Sequence, residues 1–180
     1  MENGLHTCVG RTVPKIDALD KVLGRAVYSE DMHFPGMLHG RVLRAGIPHA
    51  LIERIDTSAA RAMDGVACVL TAKHIPGKNL FGIAFQDQEA LVRDKVRTIG
   101  DPVALVVARS RSEALAGADA VLVSYEPLAA VRTPAEALAE NAPSVHEGQP
   151  NLCSTQLQIK GDAQAALEGA AAVVEAEFST

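Results

Sequence analysis

Tryptophan is absent from this 180-residue chain, and aromatic residues make up only 3% of it. A core built around large rings is therefore excluded, and the apolar share must come from Ala, Val and Leu. Cysteine is scarce: Cys8, Cys68 and Cys153 lie far apart with no Cys-x-x-Cys pair. That spacing suggests neither a disulfide framework nor a zinc or iron-sulfur ligand set, so the expectation is three free thiols in a reducing compartment. Clustered cations are missing too. With a net charge of -5 and no Lys/Arg run, the chain lacks the footprint of a nucleic-acid or anionic-membrane binder, because counterion release needs grouped positive charge. No stretch approaches the roughly 18 apolar residues of a membrane span, and the start "MENGLHTCVGRTVPK" has no apolar signal region. The expectation is a soluble, cytoplasmic protein.

What is present suits a packed domain. Hydrophobic residues reach 48% against 22% charged, which excludes a disordered chain, and the length fits one domain with or without appended segments. Residues 1–36 mix Gly, Pro and charge without sustained periodicity and read as an extended arm, with a turn of helix at "DALDKVLG". The alternation in "MLHGRVLRA" predicts a strand. "LIERIDTSAARAMDGVACVLTA" predicts strand, helix, strand, a candidate crossover unit with Gly65 as the helix stop. Residues 73–87, punctuated by Gly and Pro, predict a loop lying on the body.

The run 103–108 has the composition of a fully buried strand. Ser110 and Glu113 then form a Ser-x-x-Glu capping box that opens a helix to about Ala118, and "ADAVLVSYEPL" is the next strand, limited by Pro127. A second box, Thr133-Pro134-Ala135-Glu136, starts the helix "PAEALAEN", with Pro where a missing N–H costs nothing. Beyond the linker "APSVHEGQPN" come a strand "STQLQIKGD", a helix "AQAALEGA" capped by Asp162, and a last strand "AAVVEAEFST". Strands and helices in this alternation predict an α/β or α+β domain with helices against a mixed sheet.

No catalytic constellation emerges. Gly100-Asp101-Pro102 could be a phosphate loop, but a lone Gly followed by Pro, with no helix opening at once, supplies too few backbone donors. It reads as a structural turn in which Gly100 is free to take positive φ, Asp101 accepts backbone N–H bonds and Pro102 starts a strand. The histidines at 6, 33, 39, 49, 74 and 146 show no metal-ligand spacing and read as surface or packing residues. The carboxylates Asp17, Asp20, Glu30 and Asp31 read as a solvated face, and no Gly-x-Ser-x-Gly occurs. The remaining candidate is the loop 73–87, where His74, Phe81 and Phe85 could line a pocket or an interface.

Six segments in order resemble one family. They are "VGRTVPKIDALDKVLGRAVYSED" (9–31), "PGMLHGRVLRAGIPHALIERIDTSAA" (35–60), "GVACVLTAKHIPG" (65–77), "DKVRTIGDPVALVVA" (94–108), "VSYEPLAAV" (123–131) and "GDAQAAL…AAVVEAEF" (161–178). Together they look like the N-terminal α/β-hammerhead domain of the molybdopterin-binding subunit of molybdenum hydroxylases, the family of xanthine dehydrogenase and aldehyde oxidase. Family members often carry Glu or Gln at the place of Asp101 and Ser-Pro at that of Ala45-Gly46. "NLFGIAFQDQEALVRDKVR" resembles the xanthine dehydrogenase and purine hydroxylase side, although 4-hydroxybenzoyl-CoA reductase and nicotinate dehydrogenase have similar first domains.

The resemblance implies an α+β fold with residues 1–36 as an extended arm and 37–150 as the hammerhead domain. Residues 151–180 would be a linker, strand and helix leading toward the molybdopterin-binding domain. It implies a parent enzyme that hydroxylates a purine, another N-heterocycle or an aldehyde, using molybdopterin-bound molybdenum, iron-sulfur clusters and in many members FAD. The partners implied are the remaining molybdopterin-binding domains or subunit, an iron-sulfur subunit and, in many members, a flavin subunit. The family's Gly-rich cofactor loop and catalytic Glu belong to later domains, so no catalytic, cofactor-binding or metal position is expected in this chain. The alternative expectation is a stand-alone module that binds a small molecule or an assembly partner without catalysis.

Overall fold

The computed structural model describes residues 12–83 and 85–178. Residues 12–38 are mostly exposed and carry only helix α1 (Ala18–Val22) and a 3-10 turn at Ser29–Asp31. The body follows with β1 (His39–Arg44), β2 (Ala50–Asp56), α2 (Ser58–Ala62) and β3 (Val66–Thr71). Two-residue strands β4 (Leu80–Phe81), β5 (Gln88–Glu89) and β6 (Lys95–Val96) come next. Then come β7 (Pro102–Ala108), α3 (Arg111–Asp119), β8 (Leu122–Pro127), α4 (Pro134–Leu138) and, far along the chain, α5 (Ala163–Glu168).

The strands form two three-stranded sheets, β1-β7-β3 and β6-β2-β8, and a β4-β5 ribbon. Every one of these pairings is antiparallel, which corrects the expected mixed sheet. It corrects the crossover unit as well: β2 and β3, on either side of α2, belong to different sheets. Residues 57–65 between them are fewer than the roughly dozen that a parallel crossover needs, so the chain turns from one sheet into the other.

β7 is the axis of the fold because its residues can be dry on both faces. Val103, Ala104, Val106 and Ala108 are all 0% exposed, and β7 lies between β1 and β3. Helix α3 packs across β1 and β7. Its start is set locally: Ser110 Oγ accepts the Glu113 N–H at 3.2 Å and donates to the Glu113 carboxylate at 2.8 Å. Its closeness is set by Gly117, where a Cβ would stand 2.8 Å from Val106 Cγ1 and 3.1 Å from Val66 Cγ2. The core divides into one cluster around Val92, Val96 and Val103 and another around Val69, Val106 and Ala118. Ile55 and Val123 pack against both and join them.

Local capping signals also hold at the later helices. Thr133 Oγ1 accepts the Glu136 N–H at 3.1 Å, though α4 ends at Leu138, short of the predicted stretch. Asp162 Oδ1 accepts the Ala165 N–H at 3.0 Å and opens α5. The two strands expected around α5 do not form: residues 152–160 and 172–178 have no ladder, and residues 152–178 are exposed throughout. Their alternating patterns are real, but a strand needs a neighbour for its N–H and C=O groups, and the described residues supply none here.

Candidate functional site

The turn that precedes β7 is built on a carboxylate. Asp101 Oδ2 accepts the N–H groups of Arg97 at 2.7 Å and Thr98 at 3.0 Å, and Oδ1 accepts the Thr98 hydroxyl at 2.9 Å. Pro102 is the first residue of β7. Gly100 does not take positive φ; the left-handed residue lies opposite, at Gly46 (φ 69°). The chain at 45–46 docks on the turn through Ala45 N–H to Asp101 C=O (2.8 Å) and Gly46 N–H to Ile99 C=O (3.1 Å). The N–H groups of Arg97 and Thr98, which a bound anion would need, are taken by the turn's own carboxylate.

The loop 73–94 is held by a buried amide. Asn79 Oδ1 accepts the Leu91 N–H at 3.2 Å, and its Nδ2 donates to the Leu91 carbonyl at 2.7 Å, copying a strand pair with a side chain. Gly82 has no room for a side chain, since a Cβ would fall 1.7 Å from the Phe85 carbonyl oxygen. The loop thus folds back as the β4-β5 ribbon, and its apolar residues do not pack down as expected. Phe81 and Phe85 are each 52% exposed and Ile83 is fully exposed.

Two adjoining depressions, each of about 590 Å³, share Asp87, Arg97 and His146; Phe81 lines one and Phe85 the other. Arg97 Nη1 donates to the Lys95 carbonyl at 3.2 Å and lies 3.8 Å from Glu89 Oε2, while its buried Nε has no partner among the described residues. His146 Nε2 is 3.9 Å from Asp87 Oδ2, an ion pair when the imidazole is protonated. The groove is therefore amphipathic, two phenyl rims over a mixed-charge floor. Such a surface, with two exposed phenyl rings beside an arginine, suits packing against another polypeptide, because protein interfaces are enriched in aromatic and Arg side chains.

His74, expected beside the two Phe residues, is elsewhere. Its Nδ1 accepts the Thr71 N–H at 3.0 Å and its Nε2 lies 3.2 Å from Arg61 Nη2, so it closes the 3-10 turn after β3. His49 is buried with Nδ1 2.6 Å from the Ala129 carbonyl and pins the end of β8 to the start of β2. His6 and Cys8 lie outside the described residues; Cys68 is half-buried and Cys153 exposed, both free. Among the described residues no group of three or more His, Cys, Asp or Glu could hold a metal ion. No described helix is long and apolar enough to cross a membrane.

Two titrating groups depart from ordinary behaviour, both for structural reasons. The Ser58 hydroxyl and N–H, bonded to Asp56 Oδ1 at 2.6 and 3.0 Å, hold the Asp56 carboxyl below its usual value and anchor the start of α2. Burial pushes the Tyr125 phenol up. Sequence reasoning missed the convergence of Asp87, Arg97 and His146 altogether. They come from three separate segments and carry no spacing signal.

The fold thus defines a small α+β domain of antiparallel sheets, with a groove suited to contact. The profile of the aldehyde oxidase and xanthine dehydrogenase a/b hammerhead domain matches residues 23–129, and this chain belongs to that family. Among curated proteins it is 41% identical over 175 residues to the nicotinate dehydrogenase large molybdopterin subunit of Eubacterium barkeri, covering 97% of this chain and 41% of that subunit. It is 36% identical over 182 residues to the aldehyde oxidoreductase of Megalodesulfovibrio gigas, covering 94% of this chain and 20% of the relative. Among solved structures it is similar to the aldehyde oxidoreductase from Desulfovibrio desulfuricans, with a TM-score of 0.82, 33% identity, and coverage of 90% of this chain and 19% of that one. The chain spans less than half the length of each.

Proposed function

We propose that this chain is the first domain, or a split first subunit, of a molybdenum hydroxylase that oxidises a purine, another N-heterocycle or an aldehyde. Its own contribution is packing and subunit contact. Residues 1–36 serve as an arm, 37–150 as the hammerhead domain and 151–180 as the passage to the molybdopterin-binding domain. The partners are the rest of the molybdopterin-binding polypeptide, an iron-sulfur subunit and a flavin subunit, assembled in the cytoplasm. The observation that carries this reading is the alignment of 97% of the chain to a molybdopterin subunit of which it spans only 41%.

When bound in the assembled enzyme, the molybdenum-pterin group takes up the electrons of hydroxylation. The described residues do not fit that group. The turn into β7, where backbone donors could have met its phosphate, spends the Arg97 and Thr98 N–H groups on the Asp101 carboxylate, and Asp87 and Glu89 line the groove beside it. What the chain supplies is shape: a rigid β7 core, an apolar ribbon tip and exposed flanks.

Intact mass and metal analysis of the protein purified natively from its source test the proposal. Molybdenum, iron and larger chains in fixed ratio are expected, with the isolated chain inert toward purines and aldehydes. A lone 18.9 kDa species without metal, or turnover by the isolated chain, would overturn it. The exposed Phe81 and Phe85 beside an amphipathic groove favour one second reading, a stand-alone binding module. A melting temperature of the isolated chain that rises with the concentration of a purine, aldehyde or pterin supports that module, and a flat response removes it.

A further inference from the structure

We infer that residues 154–178 form a strand-helix-strand unit whose two strands complete a β-sheet belonging to the remainder of the molybdopterin-binding polypeptide. This rests on the function proposed above and adds which residues make the junction and by what bonding. Thr155, Leu157 and Ile159 alternate with Gln156, Gln158 and Lys160. That is the pattern of a strand with one dry and one wet face. In the second stretch Ala172, Val174, Ala176 and Phe178 share one side, with Val173, Glu175 and Glu177 on the other.

Yet Leu157, Ile159, Val174 and Phe178 are 81%, 79%, 89% and 89% exposed. Among the described residues, no backbone hydrogen bond links 152–178 to any strand of the body. The hammerhead offers its own edges at β1, β3 and β8, and the segment takes none of them. The intervening α5 is formed and capped by Asp162. A preset helix between two unladdered amphipathic strands is a docking unit waiting for an edge.

The occupant follows from the relatives. The hammerhead profile ends at residue 129, so this unit lies beyond that domain. The alignment to the nicotinate dehydrogenase subunit nevertheless covers 97% of the chain and so includes most of the unit. The part of that subunit outside the alignment exceeds half its length, ample to hold the sheet that receives both strands. A second copy of this chain is disfavoured, since pairing Glu175 and Glu177 with themselves would bring like charges together.

Hydrogen exchange read by mass spectrometry tests this on two samples, the 180-residue chain alone and the assembly purified natively. In the chain alone, amides of 155–160 and 172–178 should exchange as unstructured peptide; in the assembly they should slow by about 100-fold or more. Unprotected amides in the native assembly overturn the inference, and so does protection already present in the isolated chain, which would mean self-pairing. Ile159→Asp and Val174→Asp should each speed exchange of the amides of 155–160 and 172–178 in the assembly about tenfold or more while leaving the melting of the isolated chain unchanged. Wild-type protection of those amides in both variants would overturn it as well. The metal content of the same assembly keeps the two readings apart: protected strands in a molybdenum-free assembly would sink the function and spare the junction, and unprotected strands beside molybdenum would do the reverse.

Discussion

Residues 39–131 and residues 152–178 are made of the same materials and meet opposite fates. In the body, Val69, Val103 and Val106 are 0% exposed; in the tail, Val173 and Val174 are 62% and 89% exposed. Both regions alternate apolar and polar residues, and both carry helices capped by a hydroxyl or a carboxylate. The body's strands find neighbours within the chain, and among the described residues the tail's do not. Apolar pattern decides what a segment can bury, whereas the ladder partner decides whether it does.

Val106→Asp tests that contrast most severely. An unpaired carboxylate at a dry position between β1 and β3 should cost more than about 4 kcal/mol and abolish the cooperative urea transition. Asp101→Ala comes next, because it strips three hydrogen bonds from the turn into β7. A loss of about 2 kcal/mol is expected in urea melts. Gly117→Ala sets a gain in helix propensity of about 1 kcal/mol against crowding of Val106 that costs about 1–3 kcal/mol. A net loss of about 1 kcal/mol is expected, and the double variant with Val106→Ala should lose less than the sum of the two.

A smaller effect falls on the acid side. Because the Asp56 carboxyl sits below its usual 3.8 in the folded chain, its contribution is fully present above the unfolded value and is lost as pH falls through the folded one. Asp56→Asn should therefore flatten the fall of melting temperature with acid below about pH 4, and added salt should shrink the difference. Leu157→Lys, in the tail, should leave the stability of the isolated chain within about 0.5 kcal/mol. A larger loss would mean that the tail packs on the body.

Much of the body was legible in the sequence. β7 was announced by its apolar run, α3 and α4 by Ser110-x-x-Glu113 and Thr133-x-x-Glu136, and α5 by Asp162, since these signals act over one turn of helix or one strand. The candidate site was barely legible. Phe81 and Phe85 were singled out, but His74 was grouped with them only through nearness in the chain. Asp87, Arg97 and His146 were not seen together at all. Asn79, which clamps Leu91, looked like any polar loop residue.

Periodicity, capping and motif order are written locally. They were enough to mark where most strands and helices of the body begin, which residues are dry enough for a core, and that the chain belongs among hammerhead domains. The packed chain was needed to make the sheets antiparallel and separate, to put the left-handed residue at Gly46 instead of Gly100, and to bring three distant charges into one groove. It also left the tail's strands without a ladder. Each of those outcomes depends on which segments meet, and backbone hydrogen bonds and packing form only between segments that do.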